Sequence, residues 1–143
     1  MLEIQKTVLR QIEDCFLSQD TEQGFLLGSK QNLEKIDMCC PVPVEQASTY
    51  FIIPDAERAD WKVKDWRKQG ICFCGMIHSH VCRKEALSEA DRTFAERLYR
   101  SYQLPVLWFG IGIVKSSRVK FKFYRVEQKG QRVLISLEEY AVV

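Results

Sequence analysis

Hydrophobic residues near the N-terminus recur every three or four positions, and charged residues fill the positions between them. This period is that of an amphipathic helix, and it predicts a first helix that begins at Leu2 and ends near residues 18–20. A second helix is predicted to begin at Pro54-Asp55-Ala56-Glu57, where proline and acids favour a helix start, and to end at Gly70. A third is predicted to begin at Ser88, because serine is a favoured N-cap residue.

Short apolar runs bounded by glycine, proline or polar residues predict the strands. The runs lie at residues 24–28, 36–44, 50–53, 71–77, 105–114, 119–126 and 132–137. The run at 71–77 is apolar throughout and leads directly into two histidines, which is typical of a buried central strand. Strands interspersed with helices predict an α/β or α+β fold, in which helices flank a mixed sheet.

Composition and charge indicate a single domain of ordinary globular character. The chain has 143 residues, of which 46% are hydrophobic and 28% are charged, enough to bury a substantial core, and we expect one domain over residues 1–143. A net charge of +2 provides no strong field for nucleic acid or anionic lipid, which argues against a role in DNA repair. Residues 1–16 lack the unbroken apolar stretch of a signal peptide, and no segment has the length of a membrane span. We therefore expect a cytoplasmic protein that binds neither nucleic acid nor membranes.

The chain contains six cysteines, which we expect to be reduced because the sequence carries no export signal. Cys72 and Cys74 lie two positions apart in a predicted strand and are either a pair of metal ligands or small buried hydrophobes. Cys82 follows His80 by two positions, so it could lie near a metal ion that His80 binds.

Candidate metal ligands are concentrated in one short part of the chain. His78 and His80 point to the same face of a strand because successive side chains alternate. Asp91 lies in the first turn of the helix that begins at Ser88, from which its carboxylate can reach the same ion. Two imidazoles and a carboxylate suit Zn²⁺ and leave a fourth position for water, as in catalytic zinc sites, although nickel and iron accept the same ligands.

The chemistry that such a site indicates is hydrolysis. A bound zinc ion lowers the pKa of its water from about 15.7 toward about 7 and polarises a substrate carbonyl. Ser88, beside Asp91, is the natural donor for the oxyanion that develops. An alternative is that Ser88 and Asp91 form only a capping box, in which a carboxylate bonded wholly to its own helix cannot reach an ion.

The pattern His-x-His, seven residues, Ser, two residues, Asp resembles the JAMM motif of the JAB/MPN metalloproteases. His78, His80, Ser88 and Asp91 match it without a gap, and Gly75-Met76-Ile77 resembles the strand that precedes the histidines in that family. The resemblance implies the cytidine-deaminase-like fold of the family. It also implies a zinc-dependent peptidase or isopeptidase that cleaves at the C-terminus of a ubiquitin-like or sulfur-carrier-like protein.

The resemblance further implies a role for each residue. The two histidines and the aspartate of the motif are the metal ligands, Ser88 stabilises the tetrahedral intermediate, and a glutamate near the first strand is the general base. In that family the glutamate usually stands three residues before the glycine of the strand. Three residues before Gly24 is Thr21, one position before Glu22. A slip of one residue along a strand turns a side chain to the opposite face. Glu22 is therefore the base only if a bulge or another register turns its side chain toward the metal ligands. Otherwise the chain is a catalytically inactive binding or scaffold module of the same fold.

Overall fold

The chain folds into a mixed β-sheet with helices on both faces, which confirms the predicted fold class. The computed structural model describes residues 1–48, 52–81 and 84–143. The helices are α1 (Lys6–Ser18), α2 (Ala56–Lys68) and α3 (Glu89–Tyr102). The strands are β1 (Leu2–Ile4), β2 (Gly24–Ser29), β3 (Lys35–Ile36), β4 (Met38–Pro41), β5 (Val44–Ala47), β6 (Ile52–Pro54), β7 (Cys72–Val81), β8 (Leu107–Lys115), β9 (Arg118–Lys129), β10 (Arg132–Glu138) and β11 (Tyr140–Val142).

The main sheet has the strand order β10-β9-β8-β7-β2-β4. Strands β7 and β8 are parallel and are connected through α3, whereas the other neighbours in this sheet are antiparallel. Two smaller pairings accompany it: β1 lies between β11 and β3 in parallel, and β5 forms an antiparallel pair with β6. The order places β7 in the interior of the main sheet, as its apolar sequence predicts.

The two faces of the main sheet carry separate cores. The apolar face of α1 packs on one side against residues that include Phe25, Ile77 and Trp108. Helices α2 and α3 pack on the other side against residues that include Met76 and Phe109. No described helix is both long enough and apolar enough to cross a bilayer.

Two glycines allow close contacts at the centre of this arrangement. A Cβ atom at Gly75 on β7 would lie 2.1 Å from the backbone carbonyl oxygen of Trp108 on β8. A Cβ atom at Gly112 on β8 would lie 2.6 Å from the ring of Phe16 on α1. Glycine at these positions therefore lets a neighbouring strand and a helix approach more closely than any side chain would permit.

The predicted first helix is wrong at its N-terminal end. Leu2–Ile4 is a strand, and α1 begins only at Lys6. Leu2 and Ile4 are fully buried, and a spacing of two positions suits a strand as well as it suits the edge of a helical stripe. The strand forms because β3 and β11, which are distant in sequence, provide partners on both sides.

The single strand predicted over residues 36–44 is divided between different sheets. Strand β3 pairs with β1, β4 pairs with β2, and β5 begins at Val44. The division occurs at Asp37, whose backbone N–H donates to the Gly28 carbonyl and whose carboxylate accepts from the Lys30 N–H. The strand predicted over 50–53 corresponds to β6, while Tyr50 and Phe51 lie outside the described residues, as does Cys82.

Of the two cysteines at the start of β7, only Cys74 is the small buried hydrophobe that one of the two alternatives predicts. Cys74 is buried in the core beneath α1, whereas Cys72 at the start of β7 is exposed. Burial raises the pKa of the Cys74 thiol and so disfavours the thiolate that binds metals. Cys74 is therefore a small core hydrophobe.

Candidate metal centre

Strand β7 directs both histidines toward α3, as their spacing predicts. His78 and His80 lie opposite Ile111 and Ile113 of β8, which belong to the core beneath α2 and α3. The ring of His78 also contacts Phe109, with ring centroids 5.5 Å apart. The exposed fractions are only 3% for His78 and 1% for His80, so both imidazoles are removed from bulk water.

The start of α3 brings a carboxylate to the histidines. Ser88 is the N-cap: its Oγ accepts from the Asp91 N–H at 3.0 Å, and the Ser88 N–H donates to Asp91 Oδ2 at 3.0 Å. In the same carboxylate, Oδ1 lies 3.1 Å from His78 Nε2 and Oδ2 lies 3.1 Å from His80 Nε2. The capping box and the contact with the histidines therefore coexist.

The hydrogen bond of His80 to the backbone determines which ring nitrogen carries the proton and which presents a lone pair to Asp91. Nδ1 lies 3.1 Å from the carbonyl oxygen of Lys84, and because a carbonyl only accepts, this nitrogen must carry the proton. In the neutral ring, Nε2 then presents its lone pair to Asp91 and to His78 Nε2, which is 3.0 Å away. Acceptors at these distances repel one another unless a proton or a metal ion lies among them.

Asp91 is held in its ionised form. Burial opposes the charge, but the interactions with His78 and His80 and the hydrogen bond from the Ser88 N–H outweigh it and hold the pKa of this carboxyl far below its usual range. Within the described part of the chain, His78, His80 and Asp91 are the one group of ligating side chains whose atoms converge. These three residues can therefore hold a metal ion.

Glu22 lies on the same face of the sheet as the histidines. Gly24 of β2 pairs with His78, and the pairing continues toward Glu22 because the Ser79 N–H donates to the Gln23 carbonyl at 2.8 Å. Glu22 precedes Gly24 by two positions, so it returns to the face of His78 and lies across from His80. The register thus places Glu22, whose exposed fraction is 2%, toward the site.

A cavity of about 640 Å³ connects these groups with solvent. Its polar lining includes Glu22, His78, Ser88 and Asp91, and the side chains of Glu89, Thr93 and Arg97 also line it. Its apolar lining includes Ile52, Pro54, Met76, Phe94 and Phe109. A cavity of this size with converging polar groups and an apolar wall is typical of a ligand site.

The sequence did not predict the contacts that hold Lys84 and Glu85, which lie before α3. Lys122 Nζ donates to the backbone carbonyl of Glu85 at 2.6 Å, and Lys115 and Lys120 donate to the Glu85 carboxylate. The hydrogen bonds to the carboxylate, with that from Lys115 as the largest cause and that from Lys120 next, lower the pKa of Glu85 to about 2. The adjoining Lys84 carbonyl is the group that orients His80. A backbone carbonyl is present at every residue, so its role cannot be recognised from a sequence motif. The lysine positions look like those of any solvent-exposed strand face.

Comparisons with known proteins support the fold. The chain is similar to protein DSY2949 from Desulfitobacterium hafniense, with a TM-score of 0.76 and 20% sequence identity over 100% of this chain and 93% of that one. It is also similar to a protein from Salinibacter ruber, with a TM-score of 0.57 and 16% identity over 99% of this chain and 92% of that one. No protein-family model and no curated protein matches the chain. At such low identities the likeness concerns the fold alone.

Proposed function

We propose that this chain is a zinc-dependent peptidase or isopeptidase that cleaves a bond at the C-terminus of a ubiquitin-like or sulfur-carrier-like protein. The observation that carries the proposal is the convergence of His78, His80 and Asp91 beside a cavity that His78, Asp91 and Glu22 line. The resemblance of the histidine motif to the JAMM metalloproteases supports the substrate class.

The donor atoms suit zinc in type and in spacing. Ligands bound tetrahedrally at about 2.0–2.1 Å from Zn²⁺ lie about 3.3 Å from one another. His78 Nε2 and His80 Nε2 lie 3.0 Å apart, and each lies 3.1 Å from a different oxygen of Asp91. With one donor atom taken from each residue, all three atoms lie within 4.8 Å of one another, near enough to surround one ion. Three protein ligands, rather than four, are typical of catalytic zinc sites. When bound, zinc lowers the pKa of a coordinated water toward about 7 and polarises the substrate carbonyl.

Glu22 is the proposed general base. Its carboxylate, on the face of the histidines, accepts the proton of the attacking water and returns it to the nitrogen of the leaving group. Proton transfer by a positioned side chain contributes about 10²- to 10⁴-fold to the rate of such reactions.

Ser88 is the proposed oxyanion donor. Its Oγ already accepts from the Asp91 N–H, which orients the hydroxyl, and the hydroxyl hydrogen remains for donation. Loss of one such donor costs about 3 kcal/mol of transition-state stabilisation.

The test combines metal analysis with hydrolysis of ubiquitin-like and sulfur-carrier-like proteins that carry a C-terminal extension. We expect one zinc per chain, loss of that zinc when His78→Ala and His80→Ala are combined, and loss of turnover by about 10²-fold or more with zinc retained in Glu22→Gln. Glu13→Gln, on α1 at the opposite face of the sheet, is the matched control and should retain full turnover.

Two outcomes would contradict the proposal: absence of zinc after the metal is supplied, or undiminished hydrolysis in the double histidine variant. Stoichiometric zinc without turnover of any substrate, in wild type and Glu22→Gln alike, would favour the binding or scaffold module.

A further inference from the structure

We propose that a second cavity, between α2 and α3, is a specificity pocket that binds a bulky apolar side chain of an extended peptide, while an acidic group of that peptide pairs with Arg97. The inference rests on the proposed peptidase function and specifies its substrate. The occupant is thus a peptide in which an apolar residue and an acidic residue are neighbours.

The second cavity has the size and lining of a binding pocket. Its volume is about 370 Å³, within the range of roughly 300–1,000 Å³ that is typical of ligand pockets. The apolar part of its wall includes Leu26, Val42, Phe73, Met76 and Leu98. An apolar side chain that enters the cavity is therefore removed from water on several sides, which favours binding.

The cavity adjoins the cavity of the candidate metal centre. Pro54, Met76, Phe94 and Arg97 line both cavities. An extended peptide advances about 3.3 Å per residue, so a chain that passes the histidines reaches the second cavity within a few residues. A side chain bound there would fix which bond lies beside the metal centre.

Small side chains and one polar contact line the space between α2 and α3. Ala59 of α2 and Ser101 of α3 line the cavity and leave space between the helices. Farther along, the Tyr102 hydroxyl donates to the Asp60 carboxylate at 3.3 Å, and Asp60 also pairs with Lys64 at 3.0 Å. The negative charge of Asp60 in the cavity wall is therefore already paired with Lys64, and its carboxylate already accepts from Tyr102.

Arg97 provides the charge complementarity. Its side chain is exposed on the wall that the two cavities share. Among the described residues, no carboxylate lies within ion-pair distance of its guanidinium, whereas Arg100, one turn later, pairs with Glu96 at 3.0 Å. A guanidinium in this position suits the carboxylate of a bound peptide.

The experiment measures binding of a short peptide by NMR titration of zinc-free protein. The probe is capped at both ends and carries one leucine followed by one glutamate in a glycine-serine sequence. We expect shift changes centred on Ala59, Phe94 and Arg97. Replacing the leucine of the probe by alanine should weaken binding at least about tenfold, and replacing its glutamate by glutamine should weaken it about two- to fivefold.

Protein variants assign the binding to the cavity. Ala59→Leu fills the space without removing a contact and should weaken binding at least about tenfold, whereas Glu57→Leu, an exposed position on the same helix, should leave it unchanged. Arg97→Gln should abolish the preference for glutamate over glutamine in the probe, and Arg10→Gln on α1 should preserve it.

Absence of binding at millimolar peptide, shift changes away from α2 and α3, or equal affinity in Ala59→Leu and Glu57→Leu would overturn the inference. The titration requires neither zinc nor turnover. Failure of the pocket is therefore distinguishable from failure of the proposed hydrolysis, which metal analysis and cleavage assays detect.

Discussion

The carboxylate of Asp91 serves both the start of α3 and the cluster that it forms with the histidines. Oδ2 accepts from the Ser88 N–H, while the two oxygens lie 3.1 Å from His80 and His78 respectively. The sequence pattern alone presented capping and metal binding as competing uses of this residue. They are compatible because a carboxylate offers several acceptor directions, and the cap itself orients the group.

At Ser88, removal of the hydroxyl should weaken the helix start whether or not metal is bound. We expect Ser88→Ala to lower the free energy of unfolding of the zinc-free protein by about 1 kcal/mol, since the Asp91 N–H then loses its acceptor. Ser88→Thr keeps a hydroxyl and should lose much less. Urea unfolding followed by circular dichroism measures both, and equal stability of Ser88→Ala and wild type would show that the cap contributes nothing.

At the scale of elements, the loop segment at Lys84 and Glu85 connects the lysines of β8 and β9 with the histidines. Lys122 holds the backbone of Glu85, and the neighbouring Lys84 carbonyl accepts from His80 Nδ1. Groups that orient a metal-ligating histidine through its second nitrogen typically contribute 10- to 100-fold to metal affinity. The loop is thus a positioning element rather than a simple connection.

Lys122→Met should therefore weaken zinc binding by about tenfold, because the side chain keeps its length but no longer donates to the loop. The matched control is Lys129→Met, at the far end of β9, which should bind zinc as wild type does. Competition with a chromogenic chelator measures the affinity. Identical zinc affinities of the two variants would show that the loop keeps its position without Lys122.

The contact of Glu85 with the lysines should depend on pH in a defined direction. Because the pKa of Glu85 is lowered from 4.5 to about 2, the folded state favours the carboxylate. The contact is therefore fully present above pH 4.5 and is lost as the pH falls through about 2. NMR titration of the carboxyl carbon should give a midpoint near 2 that rises toward 4.5 in Lys115→Met. A midpoint near 4.5 in wild type would exclude the contact in solution.

At the scale of the whole molecule, the site exists because the sheet brings three distant parts of the chain together. The pairing of β2 with β7 places Glu22, just before β2, across from the histidines that β7 carries, and the crossover to β8 carries Asp91 in the first turn of α3. Close approach of β7 and β8 depends on Gly75, whose Cβ position is occupied by the Trp108 carbonyl.

Gly75→Ala should lower the free energy of unfolding by about 3 kcal/mol, because a backbone carbonyl cannot move aside as a flexible side chain can. Gly130→Asn is the control: Gly130 lies in a turn with φ of 64° and nothing within 4 Å of its Cβ position, and asparagine tolerates that conformation. Thermal and urea unfolding measure both variants. Wild-type stability of Gly75→Ala would mean that β7 and β8 can separate locally at no cost.

Local signals predicted the helices and the principal strands. Asp55 and Ser88 cap α2 and α3 as their residue types indicate, and Gly70, with φ of 77°, follows the end of α2. The prediction was wrong at Leu2–Ile4, where apolar spacing fits either a helix or a strand. That choice is made by the pairing with β3 and β11.

The sequence by itself determined the helix caps, the buried central strand and the shared face of His78 and His80, since each depends on residues close together in the chain. Only the tertiary structure decided that Asp91 reaches the histidines while it caps α3, that Glu22 faces them, and that a second cavity adjoins them. These features depend on the register between strands and on the packing of helices across the sheet. Register and packing are properties of contacts between distant segments, which no local pattern of residues specifies.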